Sequence, residues 1–229
     1  MVTGARTATH MAKRPMTISG TLTLAQWLSP SFPLGSFAYS HGLETALAEG
    51  WVNDAASMQD WLRDVLEFGT GRSDAILLVA AYHAASPQAL ADIDATGRAF
   101  ASSAERLRES LHQGAAFTRT TSVIWGDTNQ DLLFPTALGF AAAQADIAAH
   151  LTTAMYLHAF ASNIIMACVR LVPLGQTEGQ RVLNKLTPFC ENIAQQVQTS
   201  TLGDLFSNTF MSDIAAMRHE TLQPRIFQS

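Results

Sequence analysis

The stretch Met58-Gln59-Asp60-Trp61-Leu62-Arg63-Asp64-Val65-Leu66-Glu67-Phe68 sets the class of the fold. Its apolar residues Met58, Trp61, Leu62, Val65 and Leu66 fall at i, i+3, i+4, i+7 and i+8, one face of a 3.6-residue helix. Ser57 is the expected N-cap, with Asp60 near the positive helix end. The same period recurs outward. Ser73-Asp74 is expected to open a helix over Ala75–Ala85. Ser86-Pro87 opens another, with proline at the first helical position where its missing N–H costs least. Residues 98–118 read as one helix carrying Glu105, Arg106, Arg108 and Glu109. Phe134-Pro135 starts an alanine-rich helix to Ala149, and an apolar segment from Leu151 ends before Pro173-Leu174-Gly175. Val182, Leu186, Phe189, Ile193 and Val197 then step by 4, 3, 4 and 4, and Pro188 is expected to kink or divide that helix. A last helix covers about Met211–Arg218. Alternating strand patterns, Asn-Gly hairpin turns, repeats and linkers are absent. With helices averaging about 12 residues, the expectation is an all-α, single-domain helical bundle of roughly eight to ten helices.

Composition narrows the function classes. Of 229 residues, 48% are apolar and only 14% are Asp, Glu, Lys or Arg, against a usual ~25% charged. Disorder needs the opposite balance, and a chain of this size buries roughly 70–75% of its unfolded surface without metal or disulfide staples. Few charges leave a membrane protein, a highly buried fold, or a surface covered by partners. Residues 1–20 hold Arg6, Lys13 and Arg14 and no acid; without them the chain has 11 basic and 19 acidic residues, a net of −8. Such a body has no basic stripe with which to bind nucleic acid. Residues 1–19 lack the apolar core of a secretory signal and read as a flexible extension. Leu151–Val169 is the one membrane candidate. Thr152, Thr153, Ser162 and Asn163 interrupt it, and polar groups at mid-span are costly in lipid, so it reads as a buried central helix. Cys168 and Cys190 lack CxxC spacing and read as reduced, buried thiols of a cytoplasmic protein.

Chemical motifs are sparse. Gly69-Thr70-Gly71-Arg72-Ser73 lacks the lysine and length of a phosphate loop and reads as a helix junction capped by Ser73. Asp127-Thr128-Asn129-Gln130-Asp131 begins like a calcium loop, but Leu132 and Leu138 stand where glycine and glutamate are needed. The two nearest histidines, His150 and His158, lie about 12 Å apart on a helix, beyond the i, i+4 spacing of a ligand pair. No nucleophile elbow is present. The residues give no catalytic constellation, no metal set and no cofactor motif.

Two segments depart from a plain bundle. Ser29–Glu44 (SPSFPLGSFAYSHGLE) has two prolines and two glycines against a helix, yet Phe32, Leu34, Phe37 and Tyr39 are too apolar for a solvated loop. It packs either on the chain's own core or on a partner. Arg218–Ser229 (RHETLQPRIFQS) sets Leu222, Ile226 and Phe227 on a basic tail, the composition of a segment that orders on binding.

These segments resemble the urease accessory protein UreF family, whose signature SPxxPxGxFxYSxGLE matches Ser29–Glu44. Arg108–Leu111, Tyr156–Asn163, Val169–Arg181 and Arg218–Thr221 match further, in the same order, from about residue 22 to the end. The family tail commonly continues QYSRLFRS, whereas this chain has Gln223 for the aromatic, Pro224, and Gln228 for the last arginine; Arg225 and Phe227 keep their places. The resemblance implies an all-α, non-enzymatic, cytoplasmic and homodimeric scaffold without a cofactor. With UreD (also called UreH) it recruits and regulates the GTPase UreG for nickel insertion into apo-urease. The implied division is a flexible 1–20 extension, a helical body over 21–217 and a partner-binding tail over 218–229. Implied partner-binding residues are Pro33, Gly35, Phe37, Tyr39, Glu44, Arg170, Gln176, Arg181, Arg218, His219, Glu220, Arg225 and Phe227. Tyr39 also reads as a core phenol with a bonded hydroxyl, Arg170 as an internal helix clamp, and Gln176 as a turn cap. The competing function is a direct nickel-binding metallochaperone, for which His41, His219 or Cys190 would have to converge at an interface. If the charge deficit marks partner-covered surface, the isolated chain self-associates or precipitates as its concentration rises. Sedimentation velocity across a concentration series measures this, and a well-behaved monomer throughout counts against it.

Overall fold

A computed structural model describes residues 18–126, 131–172 and 174–229. Ten α-helices and three short 3-10 turns make up the secondary structure among these residues, with no strand. In chain order the helices are α1 (Ile18–Trp27), α2 (Leu43–Ala48), α3 (Ala55–Phe68), α4 (Thr70–Tyr82), α5 (Pro87–Ala99), α6 (Ala104–Trp125), α7 (Phe134–Gln144), α8 (Ala149–Leu171), α9 (Gln176–Gln196) and α10 (Phe210–His219). The all-α expectation and its helix count hold.

The helix termini correct several local readings. α3 begins at Ala55, and its N-cap is Asp54, whose carboxylate accepts the Ser57 amide at 2.8 Å. Ser57 sits at the third helical position and returns a bond to the Asp54 amide through its hydroxyl, the reciprocal half of a capping box. α4 starts at Thr70, three residues before the expected Ser73, so Asp74 is an interior helical residue. The junction at 69–73 is real, but Gly69 is its N-cap and the Ser73 hydroxyl donates to the Phe206 carbonyl. Ser86 caps α5 through the Ala89 amide, with Pro87 at the first position, as expected. The helix expected over 98–118 is two: α5 ends at Ala99, and Ser103 caps α6 through the Arg106 amide. α7 stops at Gln144, short of Ala149. Pro188 lies inside a continuous α9, so it neither divides the helix nor ends it. Asp127–Gln130 of the calcium-like run, Pro173, and residues 1–17 of the expected extension lie outside the described residues.

Packing explains the small-residue stretches. α8 runs through the bundle against α9, α4, α2, α3 and α7, burying Tyr156, Leu157, Phe160, Ile164, Ile165 and Cys168 among others. It is also long and apolar enough to cross a membrane by length and composition alone. α4 packs on α7, and α6 on the Leu132–Leu133 segment leading into α7, at glycines with no room for a side chain. A methyl at Gly139 would overlap the Leu78 carbonyl oxygen, and one at Gly114 the Leu132 carbonyl oxygen. An aromatic chain of Trp27, Phe117, Phe134 and Tyr156 crosses the core with centroids 5.4–5.9 Å apart, within the range that favours tilted and edge-on pairs.

In an unconstrained helix interior Gly→Ala stabilises by about 1 kcal/mol. Gly114→Ala reverses that sign here, destabilising by about 1–3 kcal/mol through overpacking. The urea midpoint checks it, and a raised midpoint would contradict the packing described.

Candidate functional site

Three buried glutamates and parts of the chain's last twelve residues, among them the buried His219, Phe227 and Ser229, form one polar cluster. Glu44 lies in the first turn of α2, while Glu105 and Glu109 are one helical turn apart on α6, at i and i+4, and so share a face. They are only 8%, 4% and 1% exposed. A carboxylate taken from water must be given donors; for Glu44 and Glu105 they come from residues 219–227, and for Glu109 partly from Ser229. Glu44 accepts the Ile226 amide at 2.7 Å on Oε1 and the Phe227 amide at 2.9 Å on Oε2. His219, fully buried at the end of α10, lies between two acids: Nδ1 is 2.7 Å from Glu105 and Nε2 is 3.1 Å from Glu44. Arg225 donates to the other Glu105 oxygen at 2.6 Å. Glu109 accepts the Ser229 hydroxyl at 3.1 Å and the Gln113 amide at 2.9 Å, with His41 Nε2 at 3.0 Å.

Main-chain bonds complete the docking. The Gln228 amide donates to the Ala38 carbonyl at 2.8 Å, and the Ser40 amide and hydroxyl donate to the Ser229 carbonyl at 2.7 and 2.5 Å. Gly42 makes the junction possible: its φ is +75, and a Cβ there would strike the α10 backbone at Ala216. Behind the cluster, Arg106 joins Asp74 at 2.5 Å and Glu109 at 3.5 Å, and Tyr156 donates to the same Asp74 oxygen. Burial works against the Arg106 charge, but Asp74 and Glu109 outweigh it and raise its pKa. Burial and the Asp74 charge push the Tyr156 phenol well up, so it stays a donor.

The residues expected to bind partners divide into three groups. Glu44, His219, Arg225 and Phe227 are brought together in the cluster, and Phe227 is only 3% exposed. Arg170 clamps this assembly from α8, its guanidinium 4.9 Å above the Phe227 ring and donating to the Phe37 carbonyl at 3.2 Å. Tyr39 is buried with its hydroxyl 3.4 Å from His112 Nδ1, and burial raises its pKa. A second group rims the cluster. Arg218 lies over Trp51 and pairs with Glu49 at 3.4 Å; Glu220 accepts the Ala104 amide at the start of α6. Phe37 and Pro33 are exposed, and Gly35 takes φ +72 in the turn between them. Gln176 and Arg181 stand apart at the exposed start of α9, where Arg181 pairs with Glu178 at 2.6 Å. Gly175 is the α9 N-cap, with no side-chain bond from Gln176.

Sequence reasoning did not single out Glu105, Glu109, Ser40 or Ser229. The signal open to it was the Glu105/Glu109 pair sharing a helix face with Arg106 nearby. Within the single chain, His41, His219 and Cys190 do not form one group. His219 has both nitrogens on carboxylates, and His41 has one on Glu109. Cys190 lines a separate groove between α8 and α9, and burial raises its thiol to about 12; Cys168 is raised to about 11. Both thiols are free and protonated at neutral pH. Among the described residues no group of three or more His, Cys, Asp or Glu is arranged to hold a metal ion.

The tail's hold is acid-sensitive in a stated direction. Burial raises the Glu44 pKa, but the Phe227 and Ile226 amides and His219 outweigh it and leave the carboxyl below its ordinary value. Burial of Glu109 is likewise outweighed, by His41 and Arg106. Groups depressed on folding contribute stability above their unfolded pKa of about 4.3, and lose it as pH falls through the folded value. Amide-exchange protection of Ile226 and Phe227 is therefore intact at pH 6 and lost first as pH drops below 4. Glu44→Gln, which leaves one former acceptor as a donor facing a donor, weakens the docked tail by about 2–3 kcal/mol at pH 7. Unchanged protection in that variant would exclude Glu44 as the tail's anchor.

The UreF family model matches residues 52–187. The chain is 47% identical to a urease accessory protein UreF of Roseobacter denitrificans over 220 residues, covering 96% of this chain and 99% of that one. It is 51% identical to the protein of that name from Cereibacter sphaeroides over 208 residues, 91% and 98% of the two chains. The Ruegeria sp. protein is also 51% identical, over 214 residues, 93% and 100%. With a matched core, relatives spanning nearly the whole length, and a tail seated on the Ser29–Glu44 segment, the chain belongs to the UreF family of urease accessory proteins.

Proposed function

We propose that this protein is a non-enzymatic, cytoplasmic scaffold of urease maturation that, with UreD/UreH, recruits and regulates the GTPase UreG for nickel insertion into apo-urease. One observation carries the reading: segments 29–44 and 218–229, far apart in sequence, form a single surface joined through Glu44. That surface offers Phe37 and Ile226, about 70% exposed each, beside the guanidinium groups of Arg170 and Arg225. Exposed aromatic and arginine side chains on a rigid base are the usual composition of a binding anchor. Rigidity comes from the buried cluster, so a partner meets an ordered tail and loses less conformational entropy on binding.

The remaining assignments follow from that role. UreD/UreH takes the Phe37–Ile226 surface, with the 218–229 tail as a partner-binding unit on the 21–217 body. The exposed start of α9, with Gln176 and Arg181, faces UreG or a second copy. A homodimer gains from covering the groove of about 500 Å³ between the end of α1, α8 and α9, whose wall includes Leu28, Leu151 and Met155. Free cysteines suit a reducing compartment.

Co-expression with UreD/UreH tests the assignment. Phe37→Asp and Ile226→Asp alter exposed side chains and leave the fold intact, with unchanged helicity and melting temperature. Each is expected to reduce recovery of the complex at least tenfold, and deletion of 218–229 to abolish it. Undiminished complex in both point variants and the truncation would overturn the assignment of this surface.

A further inference from the structure

α10 has its amphipathicity the wrong way round for a surface helix. Its inner side packs Ala215 and His219 toward α2 and α6. Its outer side carries Phe210, Ile214 and Met217 at i, i+4 and i+7, with Met211 beside them, at exposures between 40% and 72%. Phe68 at the end of α3 extends the stripe. Between α3 and α10 a groove of about 310 Å³ has Trp61, Phe68, Phe210 and Met211 in its walls. Water-facing apolar side chains in one contiguous row mark a surface made to be covered, and methionines with aromatics adapt to the apolar face of a helix.

The rim identifies the occupant's charge. Asp64 lines the groove, and Asp60, Asp64 and Glu67 form one i, i+4, i+7 row along α3. Arg63 lies 3.5 Å from Asp60 and 3.8 Å from Asp64, and Arg218, next to Met217, is paired with Glu49 at 3.4 Å, so the α3 row stays net negative. A second copy brought face to face would set these carboxylates against one another, which disfavours self-pairing here. We propose that the α3–α10 groove is a docking site for a basic amphipathic helix of a partner protein: apolar side chains on the Phe68–Phe210–Ile214–Met217 stripe, lysines or arginines on the Asp60–Asp64–Glu67 row. The site is separate from the Phe37–Ile226 surface and does not depend on what binds there.

Two synthetic 16-residue helical peptides test it on the full chain: one with a leucine stripe flanked by lysine and arginine, and a twin with glutamate at every basic position. The basic peptide is expected to bind at least tenfold more tightly by fluorescence anisotropy, with new amide-exchange protection confined to 61–68 and 208–217. Asp60→Lys with Asp64→Lys, both solvent-exposed, is expected to weaken it at least tenfold, and Ile214→Asp to abolish it. Glu178→Lys, a charge reversal elsewhere, is expected to change nothing. Equal binding of the twins, protection outside the two segments, or an equal effect of Glu178→Lys would overturn the site. Protection of this face that grows with the concentration of the chain alone would show that a second copy covers it, and would overturn it too.

Discussion

A carboxylate removed from water must be met by donors or it takes up a proton, and this chain buries three where helices α2 and α6 meet. Glu109 has Gln113 and Arg106 on its own helix and His41 beside it, but Glu44 and Glu105 take their side-chain and amide donors from α10 and the tail. Two tail amides, the Arg225 guanidinium, the Ser229 hydroxyl and an imidazole supply what is missing. The order of the tail is thus a requirement of the core. It is also why His219, sandwiched between two acids, ends α10 with no solvent contact. Arg106 carries the same logic inward to Asp74 and Tyr156, so that α4, α6, α8 and the tail share one polar network. Replacing one member of such a network leaves the others buried without partners, so its parts do not act independently.

The low charge content takes on structural meaning here. Among the described residues Glu44, Asp74, Asp94, Glu105, Arg106 and Glu109 are buried, which draws six charges from an already small number into the interior. Asp94 follows the same rule, accepting the Leu133 amide at 2.7 Å and Arg98 at 2.6 Å. The outer surface is correspondingly poor in charge and rich in apolar stripes, at α10, at Val123–Trp125 and at Ile18 and Leu22. The low charge content is therefore two effects, acids committed to the core and apolar side chains left outside it.

The helical class was legible because an apolar period of 3.6 is a local property, and Met58–Leu66 states it without help from distant residues. Caps were less legible: Asp54 and Ser57 both suit an N-cap, and only the reciprocal bonds between them decide which serves. Pro188 shows a local rule overridden by packing, since the neighbouring Leu186, Cys190 and Ile193 are held in the core on both sides of it. The cluster was the least legible part. The bonds that seat the tail join positions 114 to 190 residues apart, and no local pattern encodes such pairings. Resemblance of motifs picked out Glu44, His219, Arg225 and Phe227. That they belong to one site, and that Glu105 and Glu109 complete it, follows only from the fold.

Departures in the tail can be judged by the same contacts. Docking relies on the main-chain amides of Ile226, Phe227 and Gln228, which any side chain except proline would leave in place. Gln223 and Pro224 precede these donors, and the Gln228 side chain is exposed. The side chains that set the register are unaltered: Arg225 on Glu105, Phe227 under Arg170, Ser229 on Glu109. A slip by one residue would lose all three at once while leaving buried acids without donors. The substituted positions therefore fall where the geometry asks little of side-chain identity, and the retained ones where it fixes the register.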